Sequence, residues 1–316
     1  MIRYALTRIL LLALGLLFSS VIIFAALRIL PGDVAQMIAG SDGTAEQIAA
    51  LRRDLGLDRS LLVQYGDWIG GLFTGDLGSS LVTGSPVAEQ LALKARVTVP
   101  LGVFSLIIAL VIAIPLGILS AQRRGRASGT TIGVIAQLLA AVPVVWAGLM
   151  LVAVFAVELG WLPAQGFPRQ GWADPSGALR SLVLPALTIG IVEGALLMRF
   201  VRSATLQATG EDFVRTAAAK GLTRNQALVR HGLPAVGLSI ITVLGVQIAG
   251  IVVGAVVVEQ VFSLPGIGRM LVADVGARDL TMVQSELFVM TAFVLATGFV
   301  VDLIHHAVDP RLRERA

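Results

Sequence analysis

Five carboxylates fall inside or at the ends of long apolar runs of this sequence, Glu158, Glu193, Glu259, Glu286 and Asp302, and three of them, Glu193, Glu259 and Asp302, are singled out. A carboxylate in hydrocarbon is costly unless it faces a partner or an aqueous path, so each is a candidate for holding a cation or guiding a solute. Glu193 lies well inside its run, where it can meet the amino terminus of a peptide, a cationic ligand or an arginine of a partner; otherwise it snorkels or stays protonated. Glu259, in Val257-Val-Glu-Gln-Val-Phe262, either ties helix ends together or touches solute, and Asp302 reads as interfacial. The three histidines, His231, His305 and His306, do not combine with carboxylates at ligand spacing on any outward-facing stretch, so no metal site is expected. The sequence has no cysteine, which removes disulfides and thiolate chemistry. Its two lysines, Lys94 and Lys220, follow Leu93 and Ala219, so neither completes a phosphate-cradling Gly-Lys-Ser/Thr loop. No Ser-His pair, His-Glu-x-x-His string or aspartate pair lies in the apolar runs, and the chain is not expected to be an enzyme.

The elements that must position these residues are membrane helices. Of 316 residues 56% are hydrophobic and only 14% charged, with mean hydropathy +0.87, far from the balance of soluble domains. A helix needs about 20 apolar residues to cross the hydrocarbon core. Six runs qualify, at 9–27, 97–121, 131–157, 182–197, 235–258 and 287–301, the fourth and sixth being the shortest. Pro115 and Pro143 fall inside runs and imply kinks. The first run, flanked by Arg3 and Arg8, is longer than a signal-peptide core, lacks an Ala-x-Ala site before Pro31, and reads as a retained anchor.

Charge fixes the expected orientation. With the N-terminus inside, cytoplasmic pieces hold 14 of the 24 Lys and Arg, but only 4 acids against 11 in the outer pieces. The loop Arg123-Arg-Gly-Arg126 contains no acid. Both termini are therefore expected in the cytoplasm, and a pI near 10.3 reflects anchoring at the inner membrane face and not nucleic-acid binding. Four regions follow: a cytoplasmic end and first transmembrane helix at 1–30, an extracytoplasmic loop region at 31–96, a core at 97–308, and a cytoplasmic tail at 309–316. In the loop region a helix is expected from Thr44 to Leu55. Leu61, Leu62, Tyr65, Trp68, Ile69 and Leu72 then recur at helical spacing, as in a stripe that packs the loop onto the spans.

The stretch Phe213-Val-Arg-Thr-Ala-Ala-Ala-Lys-Gly-Leu222, followed by His231-Gly-Leu-Pro234, is basic and helix-prone and lies between two apolar runs. Ala217, Ala218 and Ala219 form helix readily without bulk, so the segment can lie close to another protein. Gly221 supplies a stop, Lys220 suits the negative helix end, and Glu211 and Asp212 suit the other. Pro234 belongs near the start of the next helix.

This pattern resembles the EAA loop of bacterial ABC importer permeases, the coupling helix seated in a cleft of the ATPase. Further strings extend the resemblance along most of the chain, among them Leu27-Arg-Ile-Leu-Pro-Gly-Asp33, Asp54-Leu-Gly-Leu-Asp58, Gly75-Asp-Leu-Gly-Ser79, Gly160-Trp-Leu-Pro163, Phe262-Ser-Leu-Pro-Gly-Ile-Gly268 and Val308-Asp-Pro-Arg311. In order and spacing they resemble the dipeptide, oligopeptide and nickel branch, and within it the first of the two permease subunits. The resemblance implies an all-α integral membrane protein of the type I importer fold with six transmembrane helices. It implies a coupling loop at 199–234, with Arg215, Thr216, Ala217, Ala218, Ala219, Lys220, Gly221, His231, Leu233 and Pro234 as its site residues. It further implies a second, homologous permease subunit, two ATPase subunits or domains carrying ATP and Mg, an extracytoplasmic substrate-binding protein, and the bacterial inner membrane as location. No cofactor is expected on this chain. Arg215 and Thr216 stand where many such permeases have Glu and Ala, and His231 where an aliphatic residue is usual. Peptides are the expected solute, with nickel, glutathione, haem or oligosaccharide as alternatives within the branch. An ion-coupled secondary transporter using Glu193 is the alternative from another class.

Overall fold

The computed structural model describes residues 2–29, 34–40, 43–210 and 212–308, except for the side chains of Ile2, Arg3, Met37, Phe213, Arg215, Ala218, Arg224, Asn225 and His231. Glu211, Pro31-Gly-Asp33 and the tail at 309–316 lie outside the described residues. Among the described residues the regular structure is all helical, with no strands beyond an isolated bridge between Ser79 and Pro86. The first helices are α1 (Ile2–Ile29), α2 (Val34–Ala39), α3 (Ala45–Asp54), α4 (Leu61–Thr74) and α5 (Val87–Gln122). Then come α6 (Ala127–Ala141), α7 (Val144–Leu151, prolonged by a π-helix Val152–Glu158) and α8 (Pro175–Gly210). The last are α9 (Asp212–Ala219), α10 (Arg224–Ala227), α11 (Leu233–Val261), α12 (Ile267–Gly276) and α13 (Leu280–Val308).

Five helices, α1, α5, α8, α11 and α13, are long and apolar enough to cross a membrane. The run expected as a single span at 131–157 is instead two helices, α6 and α7, bent by 102°. Pro143 causes the break: its ring removes an N–H, and Val142 before it is extended at φ −74°, ψ 125°. The expected kink at Pro115 does not interrupt its helix, since α5 is continuous through both Pro100 and Pro115. The runs expected to be short, 182–197 and 287–301, are the middles of helices of 36 and 29 residues. Their polar ends remain helical beyond the apolar stretch that the hydropathy pattern detects.

Two compact units are present. One comprises 1–9, 99–264 and 296–316. Its centre is α8, whose apolar window is 67% buried against 28% or less in the other spans, so the other spans leave most of their surface to lipid or partners. Gly194 brings α8 within reach of the Ala109 backbone on α5, where a Cβ would sit 3.2 Å from the Ala109 carbonyl oxygen. Leu197, Met198, Val201, Ala113, Ala136 and Val236 form its core. The other unit comprises 10–98 and 265–295. There Tyr65 and Trp68 of α4 pack on Phe24 of α1, Trp68 also meets Phe288 edge-on at 5.6 Å, and Tyr65 and Ser20 hydroxyls lie 2.8 Å apart. Two of the six residues of the expected stripe do not pack: Leu61 and Leu62 are 55% and 84% exposed. Helix α3 begins one residue after Thr44, which caps it in a reciprocal box with Gln47.

Candidate functional site

The polar segment between α8 and α11 is built from two short helices and a π-turn. In α9, Val214 and Ala217 point inward and pack with Leu222 on Ala227 of α10. Asp212, Thr216 and Ala219 fall on the opposite face and are exposed, as is Lys220 just beyond. Thus the small size of Ala217 serves packing within the segment, while Ala219 faces outward. Gly221, at φ +99°, ends the helix, and Leu222 N–H returns to the Ala217 carbonyl in a Schellman-type closure. Thr223 opens α10 through a second capping box: Gln226 N–H donates to its hydroxyl, and its own N–H donates to the Gln226 side chain. His231 lies in the π-turn Leu228–Gly232, and Leu233 and Pro234 form the first turn of α11. The sequence-expected residues 215–221 and 231–234 are therefore contiguous parts of one compact substructure, and Arg215, Ala218 and His231 are placed in it by backbone alone.

Glu193 and Glu259 are not brought together. Glu193, on α8, accepts a hydrogen bond from Gln247 of α11 at 2.5 Å through Oε2, and the same amide also donates to its carbonyl at 2.9 Å. Gly250, one turn along α11, makes room: a Cβ there would lie 2.7 Å from Glu193 Oε1. The carboxylate is thus half of a clasp between the two helices. Gly254 faces Ile189 in the same seam, whereas Gly245 approaches the Gly298 Cα at 3.6 Å. Gly245, Gly250 and Gly254 on α11 therefore serve close approach within this chain. Glu259 is fully buried at the end of α11, its carbonyl accepting the Leu264 N–H at 2.9 Å. Asp302 pairs with Arg8 at 3.0 Å, beside Tyr4 stacked on His306 with centroids 4.0 Å apart.

The unit of 10–98 and 265–295 holds a cavity of about 580 Å³, walled by Ser80, Thr83, Gln90, Lys94, Arg269 and Asp274 among others. Asp279, the residue before α13, organises one wall. Its carboxylate accepts from Ser80 Oγ at 2.5 Å, from the N–H groups of Leu81 and Val82, and from Met282 N–H at 3.2 Å. Asp274 lies partly buried on α12. Burial holds its carboxyl above the usual range; a hydrogen bond with Glu286 opposes this, the negative charge of Asp279 adds to it, and Lys94 opposes it. By contrast Asp174, partly exposed before α8, is held below that range by the Gly177 N–H at 3.0 Å and the Ser176 hydroxyl at 2.9 Å. Sequence reading did not single out Asp279, Asp274, Gln247 or the role of Glu286. An Asp ahead of the helix-prone stretch that leads into the last apolar run was a legible cap signal for Asp279. A lone amide in an apolar run was the available signal for Gln247.

Long apolar helices and no strands among the described residues define an all-α, multi-pass integral membrane protein. The chain matches, over residues 113–314, the family described as binding-protein-dependent transport system inner membrane component, and over residues 1–91 the N-terminal family of such membrane components. It is 35% identical over 316 residues to the glutathione transport system permease protein GsiC of Salmonella typhimurium (strain LT2), covering 99% of both chains. It is also 35% identical over 299 residues to a putative peptide transport system permease protein of Brucella abortus (strain 2308), covering 94% of this chain and 95% of that one. The chain belongs to the binding-protein-dependent ABC permeases, in their peptide branch. It is accordingly a multi-pass protein of the inner membrane.

Proposed function

We propose that this chain is the non-catalytic permease subunit that forms half of the translocation pathway of an ATP-driven peptide importer, with both termini in the cytoplasm. A second, homologous permease completes the pathway. Two ATPase subunits or domains carry ATP and Mg, and an extracytoplasmic binding protein delivers solute. The observation that carries this reading is the membership of nearly the full chain in the family, joined to a compact polar segment at 212–234 with one packed and one exposed face.

The exposed face of α9, with Thr216, Ala219 and Lys220, is the surface that the ATPase grips. ATP shifts the permease between outward and inward openings only through different affinities for the two states, and a docked α9 transmits that difference to α8 and α11 on either side of it. Glutathione, a tripeptide, is the second reading, favoured by relatives whose names specify it. Reconstituting the complete complex in vesicles tests both. Labelled di- or tripeptide is expected to accumulate only with ATP and the binding protein, and competition by glutathione distinguishes the two readings. Accumulation by this chain alone under an ion gradient would overturn both.

A further inference from the structure

We propose that the cavity between the last turn of α1, α4 and the start of α13 is a binding site for the phosphate of a lipid headgroup, held by Arg28. The site rests on the membrane class of the chain and not on the solute it carries.

The cavity, of about 250 Å³, is walled by Arg28, Gln64, Trp68, Asp76 and Thr281 among others. Its neighbours hold Arg28 in place. Gln64 of α4 donates its amide to the carbonyls of Leu57 and Arg59 at 3.2 and 2.8 Å, which leaves its amide oxygen to accept from Arg28 Nη2 at 2.7 Å. The guanidinium also lies over Phe24, 4.6 Å from the ring centroid. Yet among the described residues no carboxylate pairs with Arg28, and its Nη1 is buried without an acceptor. Trp68, which packs on Phe24 and Phe288, likewise has its indole N–H buried without an acceptor. Two residues of one cavity wall thus each carry a donor that nothing satisfies, an arrangement that is costly unless a guest supplies the oxygen. Arg28 is tethered through Nη2 alone, so a small rotation of its guanidinium brings Nη1 to an oxygen in the cavity. Of the carboxylates there, Asp67 is paired with Arg59 at 2.5 Å, and Asp76 is exposed, its Oδ1 accepting the Gly78 N–H at 2.8 Å.

Depth in the membrane identifies the guest. Helix α1 is continuous and carries no charge between Arg8 and Arg28. These arginines stand roughly 20 residues apart, a rise of about 30 Å that matches the hydrocarbon core and puts Arg28 at the level of lipid phosphates. A guanidinium meets a phosphate with two parallel N–H···O bonds. Asp76, on the same wall, offers the opposite sign, so a zwitterionic headgroup with phosphate next to ammonium fits both. Inorganic phosphate makes no use of Asp76.

The test is equilibrium binding of radiolabelled dihexanoyl-phosphatidylethanolamine to the full chain, purified in a maltoside detergent that contains no phosphate. Dihexanoylglycerol and inorganic phosphate serve as competitors. Wild type binds the lipid saturably, and dihexanoylglycerol, which has the tails without the phosphate, does not displace it. Arg28→Gln weakens binding about tenfold or more, as loss of a charge-assisted contact does. Arg28→Lys, which keeps the charge but not the fork, weakens it less. Trp68→Phe, which keeps the ring but not the N–H, weakens it by about threefold. Arg53→Gln, at an exposed position of α3 outside the cavity, binds as wild type does. No saturable binding, displacement by dihexanoylglycerol, or equal affinity in Arg28→Gln and wild type overturns the site. Displacement by inorganic phosphate at concentrations equal to those of the lipid makes free phosphate the guest and overturns the headgroup. If Arg28→Gln fails to fold, Trp68→Phe and the two competitors decide.

Discussion

Single atoms decide how α8 meets its neighbours. At Gly250 an added methyl would face the far end of the flexible Glu193 side chain, which can swing aside, whereas at Gly194 it would face the Ala109 backbone, which cannot. Gly194→Ala is expected to cost about 1–3 kcal/mol, as overpacking does. Gly250→Ala should cost less but release Glu193 from Gln247, so that Gln247→Leu adds little further loss in the Gly250→Ala background. Thermal unfolding of the four purified variants checks this. Asp274 gives a pH prediction. Its folded-state pKa is raised, so its contribution to stability is fully present below its unfolded value and is lost as pH rises through the raised one. Asp274→Asn should therefore unfold at higher temperature than wild type at pH 7.5, and the advantage should vanish near pH 4. The importance of Glu193 was legible because a charge in an apolar run stands out. Its partner was not: Gln247 carries no charge, and only the crossing of α8 and α11 makes them neighbours.

Helices show the same contrast between local and tertiary signals. The stop at Gly221 and the start at Pro234 are written in residues whose backbone preferences are strong, and both appear where the sequence puts them. The π-turn at Leu228–Gly232 left no such mark. Pro143 and Pro115 were indistinguishable as symbols, yet one breaks its helix by 102° and the other sits inside a continuous one, because the outcome depends on what neighbouring chain supplies to the freed carbonyls. Substituting Gly221 by Val forces a side chain into φ +99° at a cost of roughly 1–2 kcal/mol. It should leave the transmembrane helices folded by circular dichroism, while sharply reducing the ATPase recovered with the chain. Thr223→Ala removes one side of the second capping box and should weaken the same recovery more mildly, by on the order of 1 kcal/mol.

Across the full chain, composition alone announced a membrane bundle, and the match along nearly all its length fixes the family. The cavity beside Asp274 was not legible, since it joins α12 to α5 across more than 170 positions. Spans other than α8 leave most of their apolar windows uncovered. The central claim is that the outward face of α9 docks an ATPase. The sequence contains no cysteine, so single cysteines report without background. Crosslinking the complete complex from Thr216→Cys and Ala219→Cys should capture an ATPase subunit, and Val214→Cys, buried on the inner face, should not. A complex that assembles but gives no ATPase crosslink from either exposed position, or as much from Val214 as from Ala219, would contradict the account.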